Sequence, residues 1–149
     1  MDSNSKDDRL NALKTMPLFN SLPHGELESI AEKLKVEKYR TGDEIIKQGS
    51  TGSSAYLLVE GKCDVRRKTP SGSRRLSVLT KGDFFGELAI VHPGARSASV
   101  VAQEPVTVMV LTAYEFQSAL RASKAMAMHL VKVLAGRLQQ ATDEFVVPK

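Results

Sequence analysis

The chain has little of what redox, metal or bilayer chemistry needs. Its 149 residues include one cysteine, three histidines and no tryptophan, and aromatic residues make up 5%. A single cysteine, Cys63, excludes an internal disulfide and a cysteine-ligated cluster. The histidines, at 24, 92 and 129, are scattered, and no His/Asp cluster or nucleophile motif accompanies them. An enzyme that turns over a phosphodiester would need metal ligands or a nucleophile with its base, so no enzyme is expected. No apolar run is long enough to span a bilayer, and the opening MDSNSKDDRL is polar and acidic, unlike a signal or transit peptide. A formal charge of +4 is too modest to imply nucleic acid. The expectation is a protein of the reducing cytoplasm, without a membrane or nucleic-acid partner.

The length fits one domain with a sizeable core. Residues 1–9 are polar and expected to form a flexible tail, with the folded domain spanning 10–149. Residues 10–35 carry helical spacing broken at Pro17 and Pro23, with Leu27, Ile30, Ala31 and Leu34 along one face of a second helix. His24 is expected in the turn beside Gly25. From Val36 the period becomes extended, and glycines at 42, 49, 52 and 61 separate short runs rich in β-formers. That cadence predicts an antiparallel barrel or jelly roll over 36–112. Cys63, flanked by Lys62 and Asp64, is expected to be a small buried hydrophobe in a strand. Residues 96–101 and 106–111 are expected to be two further strands.

Two helices are predicted over 113–146, the longer one N-capped by Ser123. In it Ala127, Val131, Leu134, Leu138, Ala141 and Phe145 follow a heptad seam beside a second stripe of Met126, Leu130 and Val133. One stripe could meet a second subunit, or both could bury against the domain. His129 and Lys132 interrupt the stripes and are expected to face solvent.

The chemistry concentrates in residues 84–102, FFGELAIVHPGARSASVVA. Gly86-Glu87-Leu88-Ala89 reads as a tight turn into a very short helix, whose first amides lack partners and favour an anion. Arg96 offers a planar fork of donors suited to phosphate. Glu87 can only accept, which suits a sugar hydroxyl. Together they describe a nucleotide pocket.

A second motif is the basic hairpin VRRKTPSGSRRLSVL, with Arg66, Arg67, Lys68, Arg74 and Arg75 around a Pro-Ser-Gly turn. Such charge ordinarily keeps a sheet edge soluble. Its RRLS resembles a basophilic kinase site, with Ser77 expected in a strand.

The run from Phe85 resembles the phosphate-binding cassette of cyclic-nucleotide-binding domains, F-G-E-[LI]-A followed by R-[AST]-A-[ST]-V. Glu87 and Arg96 stand nine positions apart, which matches. The resemblance implies an eight-stranded antiparallel jelly-roll-like barrel with N-terminal helices and a C-terminal helical lid, the cassette occupying 84–99. It implies that Arg96 pairs with a cyclic phosphate and Glu87 takes the ribose 2′-hydroxyl. Phe85, Gly86, Leu88, Ala89, Ser97 and Ala98 complete the ligand site, and no cofactor or metal is implied. The glycine pattern G-D-x-[IL], Q-G-x-x-G and Glu60-Gly61 is shared with the family. LAGRLQQATDEF resembles the long dimerisation helix of catabolite activators, and by gapless alignment from Arg96 its base-contacting hydroxyl pair falls on Ala141 and Thr142. Only Thr142 keeps a hydroxyl. The helix-turn-helix domain of those regulators is not seen before Lys149. Ser97 tolerates either base, so the expected ligand is cAMP, with cGMP next. The expected partner is a second copy bound through the C-terminal helix or an unidentified effector protein. A degenerate docking module, or a sensor of a different ligand such as a cyclic dinucleotide, stays open.

Overall fold

The computed structural model describes residues 5–86 and 94–145, with the backbone alone at Arg137, Gln140 and 141–145. Among the described residues, eight strands form two four-stranded sheets with four helices around them, the antiparallel architecture that the pattern and the resemblance predict. The strands are β1 (Lys35–Tyr39), β2 (Glu44–Ile46), β3 (Ala55–Glu60), β4 (Cys63–Thr69), β5 (Gly72–Leu79), β6 (Phe84–Phe85), β7 (Ser99–Ala102) and β8 (Val106–Leu111). One sheet runs β1-β8-β3-β6 and the other β2-β7-β4-β5, and every pairing is antiparallel.

Strand alternation builds two cores from one sheet. In β3, Ala55 and Leu57 join a core made with the helices, while Leu58 and Tyr56 face the space between the sheets. In β8, Met109 and Leu111 point to the helices, and Val106 and Val108 inward. Both strands are therefore apolar on both faces, which is why VTVMVL reads as a continuous run. The dipeptide Phe84-Phe85 obeys the same rule: Phe84 packs with the helices and Phe85 between the sheets. Cys63 sits in β4 with no exposed surface, and burial pushes its thiol up to about 11.

Helix α1 (Lys6–Thr15) begins inside the stretch expected to be a tail. Ser5 caps it, its hydroxyl accepting from the Asp8 amide at 3.1 Å, and Arg9 Nε donates to the Ala31 carbonyl at 2.6 Å. Polar composition hid a helix that is held by Leu10, Leu13 and that cross-link. Helix α2 (His24–Lys33) starts at His24, so His24 and Gly25 open a helix and do not lie in the turn. Helix α3 (Ala113–Ala122) carries a capping box between Thr112 and Glu115. Helix α4 (Lys124–Phe145) follows at once, and the Ser123 hydroxyl accepts from the Met126 amide at 3.1 Å.

Of the two stripes on α4, Met126 and Leu130 are buried in the helical core and Val133 packs against it. The seam diverges: Leu134 touches the core, while Val131 and Leu138 are 55% and 70% exposed. His129 is half-buried, not solvent-facing, because it lines a cleft of about 200 Å3 with Met16, Phe19, Asp83, Phe84 and Val133. Lys132 is exposed.

The Ser123 cap closes a buried helix start, so Ser123→Ala should leave the Met126 amide without its partner and lower stability by about 1–2 kcal/mol. Urea unfolding should show a lower midpoint at unchanged slope; an unmoved midpoint would contradict the cap.

Candidate functional site

The site is assembled by a loop, not by a strand. Arg96 lies before β7, which starts only at Ser99, so the strand expected over 96–101 is shorter at its beginning. The reason is where the Arg96 backbone finds its partners. Its N–H donates to the Ser50 carbonyl at 2.8 Å, and its carbonyl accepts from the Gly49 N–H at 2.8 Å. An isolated bridge between Thr51 and Ala95 continues that contact. The loop after β2 thereby fixes the arginine from both sides. Ser99 is buried and its hydroxyl accepts from the Gln48 amide at 2.9 Å, so the same loop is tied once more.

With its backbone held, the Arg96 side chain is half-buried and turns its fork onto two carbonyls. Nη1 donates to Gly86 O at 2.8 Å and Nη2 to Ser54 O at 3.0 Å. Burial lowers its pKa from the ordinary arginine value, with the nearby Tyr56 hydroxyl opposing that, and an arginine so placed stays charged. Both partners are neutral. Among the described residues no carboxylate pairs with Arg96, and the rest of its five donors, Nε included, are uncommitted. A half-desolvated cation without a counter-charge attracts an anion.

The wall behind the guanidinium is aromatic. Tyr56 stacks on Phe85 with ring centroids 5.2 Å apart and planes at 11°. Burial raises the Tyr56 phenol, as does the carboxylate of Glu37, while Arg96 acts against both. Phe85 pairs with Tyr56 in the ladder and ends β6, where the chain turns at Gly86 with φ +82°. A Cβ on Gly86 would lie 3.0 Å from Ser54 O, 3.2 Å from Arg96 Nη1 and 3.2 Å from Tyr56. Glycine is required there on conformation and on space.

Of the residues singled out in the sequence, the structure brings together Phe85, Gly86 and Arg96. Ser97 follows on the surface and Ala98 is half-buried. Glu87, Leu88 and Ala89, with His92, lie outside the described residues, as does the short helix expected there. Thr142 falls in the last turns of α4, its side chain likewise outside the description. Sequence reasoning missed Ser54, Tyr56 and the close approach of Gly52, whose added Cβ would stand 3.2 Å from Arg96 Nη2. The signal was present in the Gly49–Gly52 spacing, read as a turn and as a pattern shared with the family but not as a neighbour of Arg96. The cleft near His129 is a different place, since neither Arg96 nor Gly86 lines it. Among the described residues no group of His, Cys, Asp and Glu could hold a metal ion, and no helix is long and apolar enough to cross a membrane.

Comparison with known proteins places the geometry. Residues 36–123 match the family model described as cyclic nucleotide-binding domain. The cAMP-dependent protein kinase regulatory subunit of Mycosarcoma maydis is 36% identical over 104 residues, covering 68% of this chain and 20% of that protein. The chain thus spans about a fifth of that relative's length. The regulatory subunit of a cAMP-independent protein kinase A from Trypanosoma brucei superposes with a TM-score of 0.77 at 26% identity, covering 86% of this chain and 46% of that one. The Thermus thermophilus catabolite activator protein gives 0.77 at 32% identity, covering 86% and 61%.

Gly86→Ala should cost about 1–2 kcal/mol from the left-handed backbone alone, with a further loss as the Cβ pushes against Ser54 O and Arg96. A thermal midpoint equal to that of the unaltered protein would mean that the clasp is not as tight as these distances indicate.

Proposed function

The chain belongs to the cyclic nucleotide-binding domain family, and on that premise we propose that it binds a cyclic mononucleotide as a regulatory sensor module, cAMP in preference to cGMP. The observation that carries the reading is Arg96, half-buried and bonded to two neutral carbonyls with no carboxylate partner among the described residues. In the proposal the cyclic phosphate supplies the missing charge, taking the uncommitted guanidinium donors in the bidentate manner that arginine favours. Glu87 accepts from the ribose 2′-hydroxyl, and Gly86 with the amides of Leu88 and Ala89 cradles the phosphate. Ser97 and Ala98 line its other side, and Phe85 backs the site. Thr142 meets the base edge when α4 closes.

Signalling follows as a population shift. The phosphate draws Arg96 and the turn at Gly86 inward, and the C-terminal helix closes over the base. The exposed Val131 and Leu138 on α4 support a second copy as the partner, with an effector protein as the alternative. No catalytic step is part of the proposal, since binding, closure and release need no bond broken. A non-binding docking module is the second reading, favoured by the likeness to a regulatory subunit of a cAMP-independent kinase.

Calorimetric titration of nucleotide-stripped protein with cAMP, cGMP and a cyclic dinucleotide separates these readings. Saturable heat with cAMP, weaker with cGMP and absent with the dinucleotide, is expected, with the nucleotide recovered intact. Arg96→Ala should weaken binding by about a hundred-fold or more. Unchanged affinity in that variant would remove the anchor role, and no heat from any ligand would favour the docking module.

The dimer has its own test. Val131→Glu and Leu138→Glu change exposed positions and leave Met126 and Leu130 in the core. Sedimentation should show a dimer for the unaltered chain and a monomer for the double variant. The same profile for both would rule out the seam.

A further inference from the structure

The β4–β5 hairpin plays no part in the site described. Among the described residues β5 is an edge strand, paired with β4. Every residue from Gly72 to Val78 is exposed, and Leu79 is the first to be buried. A bulge lies between the pairs Val65–Ser77 and Arg66–Arg75, leaving Leu76 without an opposite residue. Leu76 and Val78 are 41% and 40% exposed, an uncommon state for apolar residues on a sheet edge. Arg75 reaches Asp64 at 3.5 Å, while among the described residues Arg74 has no ion pair and the Ser77 hydroxyl has no hydrogen bond.

Edge protection alone does not account for this order of residues. Beside that edge, β4 already carries the charges of Arg66, Arg67 and Lys68. Edge protection does not require two adjacent arginines, a spacer, an uncommitted hydroxyl and then an exposed valine. Those features describe a peptide read in extended form by a second protein. The strand is already extended. Releasing it from β4 as far as Val78 forfeits ladder hydrogen bonds, the bonds of Arg66 Nε to Ser73 Oγ and of Thr69 Oγ1 to Gly72 O, and the Arg75–Asp64 ion pair, but no buried apolar side chain of β5, so local opening costs less than opening a core strand.

We propose that Ser77 is a phosphoacceptor for a basophilic protein kinase. Such a kinase has carboxylates in its peptide cleft facing the second and third residues before the acceptor, and an apolar pocket for the residue after it. Arg74 and Arg75 fill the carboxylate positions and Val78 the pocket. Ser77 Oγ attacks the γ-phosphorus of a magnesium-bound nucleoside triphosphate. The new Oγ–P bond forms as the bond from the γ-phosphorus to its bridging oxygen breaks. The nucleoside diphosphate departs, and the hydroxyl proton passes to the kinase's carboxylate base.

The test incubates the full chain with magnesium ATP and the catalytic domain of a basophilic serine/threonine kinase. A synthetic peptide of residues 70–82 serves as the unfolded reference. Intact-mass and fragment spectra should show one phosphoryl group on Ser77, transferred to the folded chain within about ten-fold of the peptide's rate, and none on Ser77→Ala. Arg74→Ala, which removes no ion pair or side-chain hydrogen bond among the described residues, should slow transfer by about ten-fold or more with an unchanged circular-dichroism spectrum. Modification of the peptide but not of the folded chain would overturn the proposal, because the sheet would then be closed to the kinase. So would phosphate on another residue, transfer to neither substrate, or an Arg74→Ala chain modified at the original rate.

Discussion

A guanidinium half removed from water and bonded, among the described residues, only to carbonyl oxygens has its geometry settled and its charge unsettled. That is the condition of Arg96. Two hydrogen bonds to Ser54 O and Gly86 O orient the fork, yet neither acceptor carries a formal charge. Had a described carboxylate stood there, the pair would have been complete and the site of little use to an anion. The arrangement is preorganised in the sense that matters for recognition: the entropy of placing a long side chain is spent in folding and not in binding. Much of the surrounding detail serves this end, from the Gly49–Ser50 loop that holds the arginine's backbone to the glycine at 86 that lets the chain pass beside it.

Phe85, Gly86 and Arg96, singled out in the sequence, come together in the fold, and what supports them there was not legible. Arg96 among small residues, after a glycine and an aromatic pair, is a local pattern that composition alone makes unusual. The Ser54 carbonyl is 42 positions away in the chain, and no local pattern announces that a loop carbonyl will meet a guanidinium. Gly52 shows the same limit. Read along the chain it marks a turn, whereas in space it permits backbone to run beside Nη2. The strand expected from residue 96 fails for a related reason, because the Arg96 backbone bonds to a loop and not to a neighbouring strand.

Periodicity fared better where packing and pattern agree. Both faces of β8 are buried, so its apolar run could not be mistaken, and Met126 and Leu130 on α4 fall on the core as their spacing requires. It fared worse where a polar residue has a sheltered place. His129 interrupts an apolar stripe and was expected in solvent, but the groove beside Phe84 takes it in. Helix α1 was hidden in the same way, since the stability of a short polar helix comes from tertiary contacts that its sequence does not display.

At the edge of the site the two cores adjoin through one dipeptide, and this bears on how the proposed closure could travel. Phe85 belongs to the packing between the sheets and stacks on Tyr56, beside the guanidinium. Phe84 belongs to the helical core and lines the cleft with Val133 and His129 of α4. Adjacent residues on opposite faces of a strand cannot move independently, and a core packed to crystal density absorbs little displacement. A shift of the turn at Gly86 must therefore be shared between them. The side facing Phe85 is filled, with Leu58 and Val108 without exposed surface. The side facing Phe84 holds the cleft of about 200 Å3, which His129 and Val133 of α4 line, so the helix has room to follow there. In the proposed closure, that free volume offers a route from the guanidinium through the aromatic pair to the long helix.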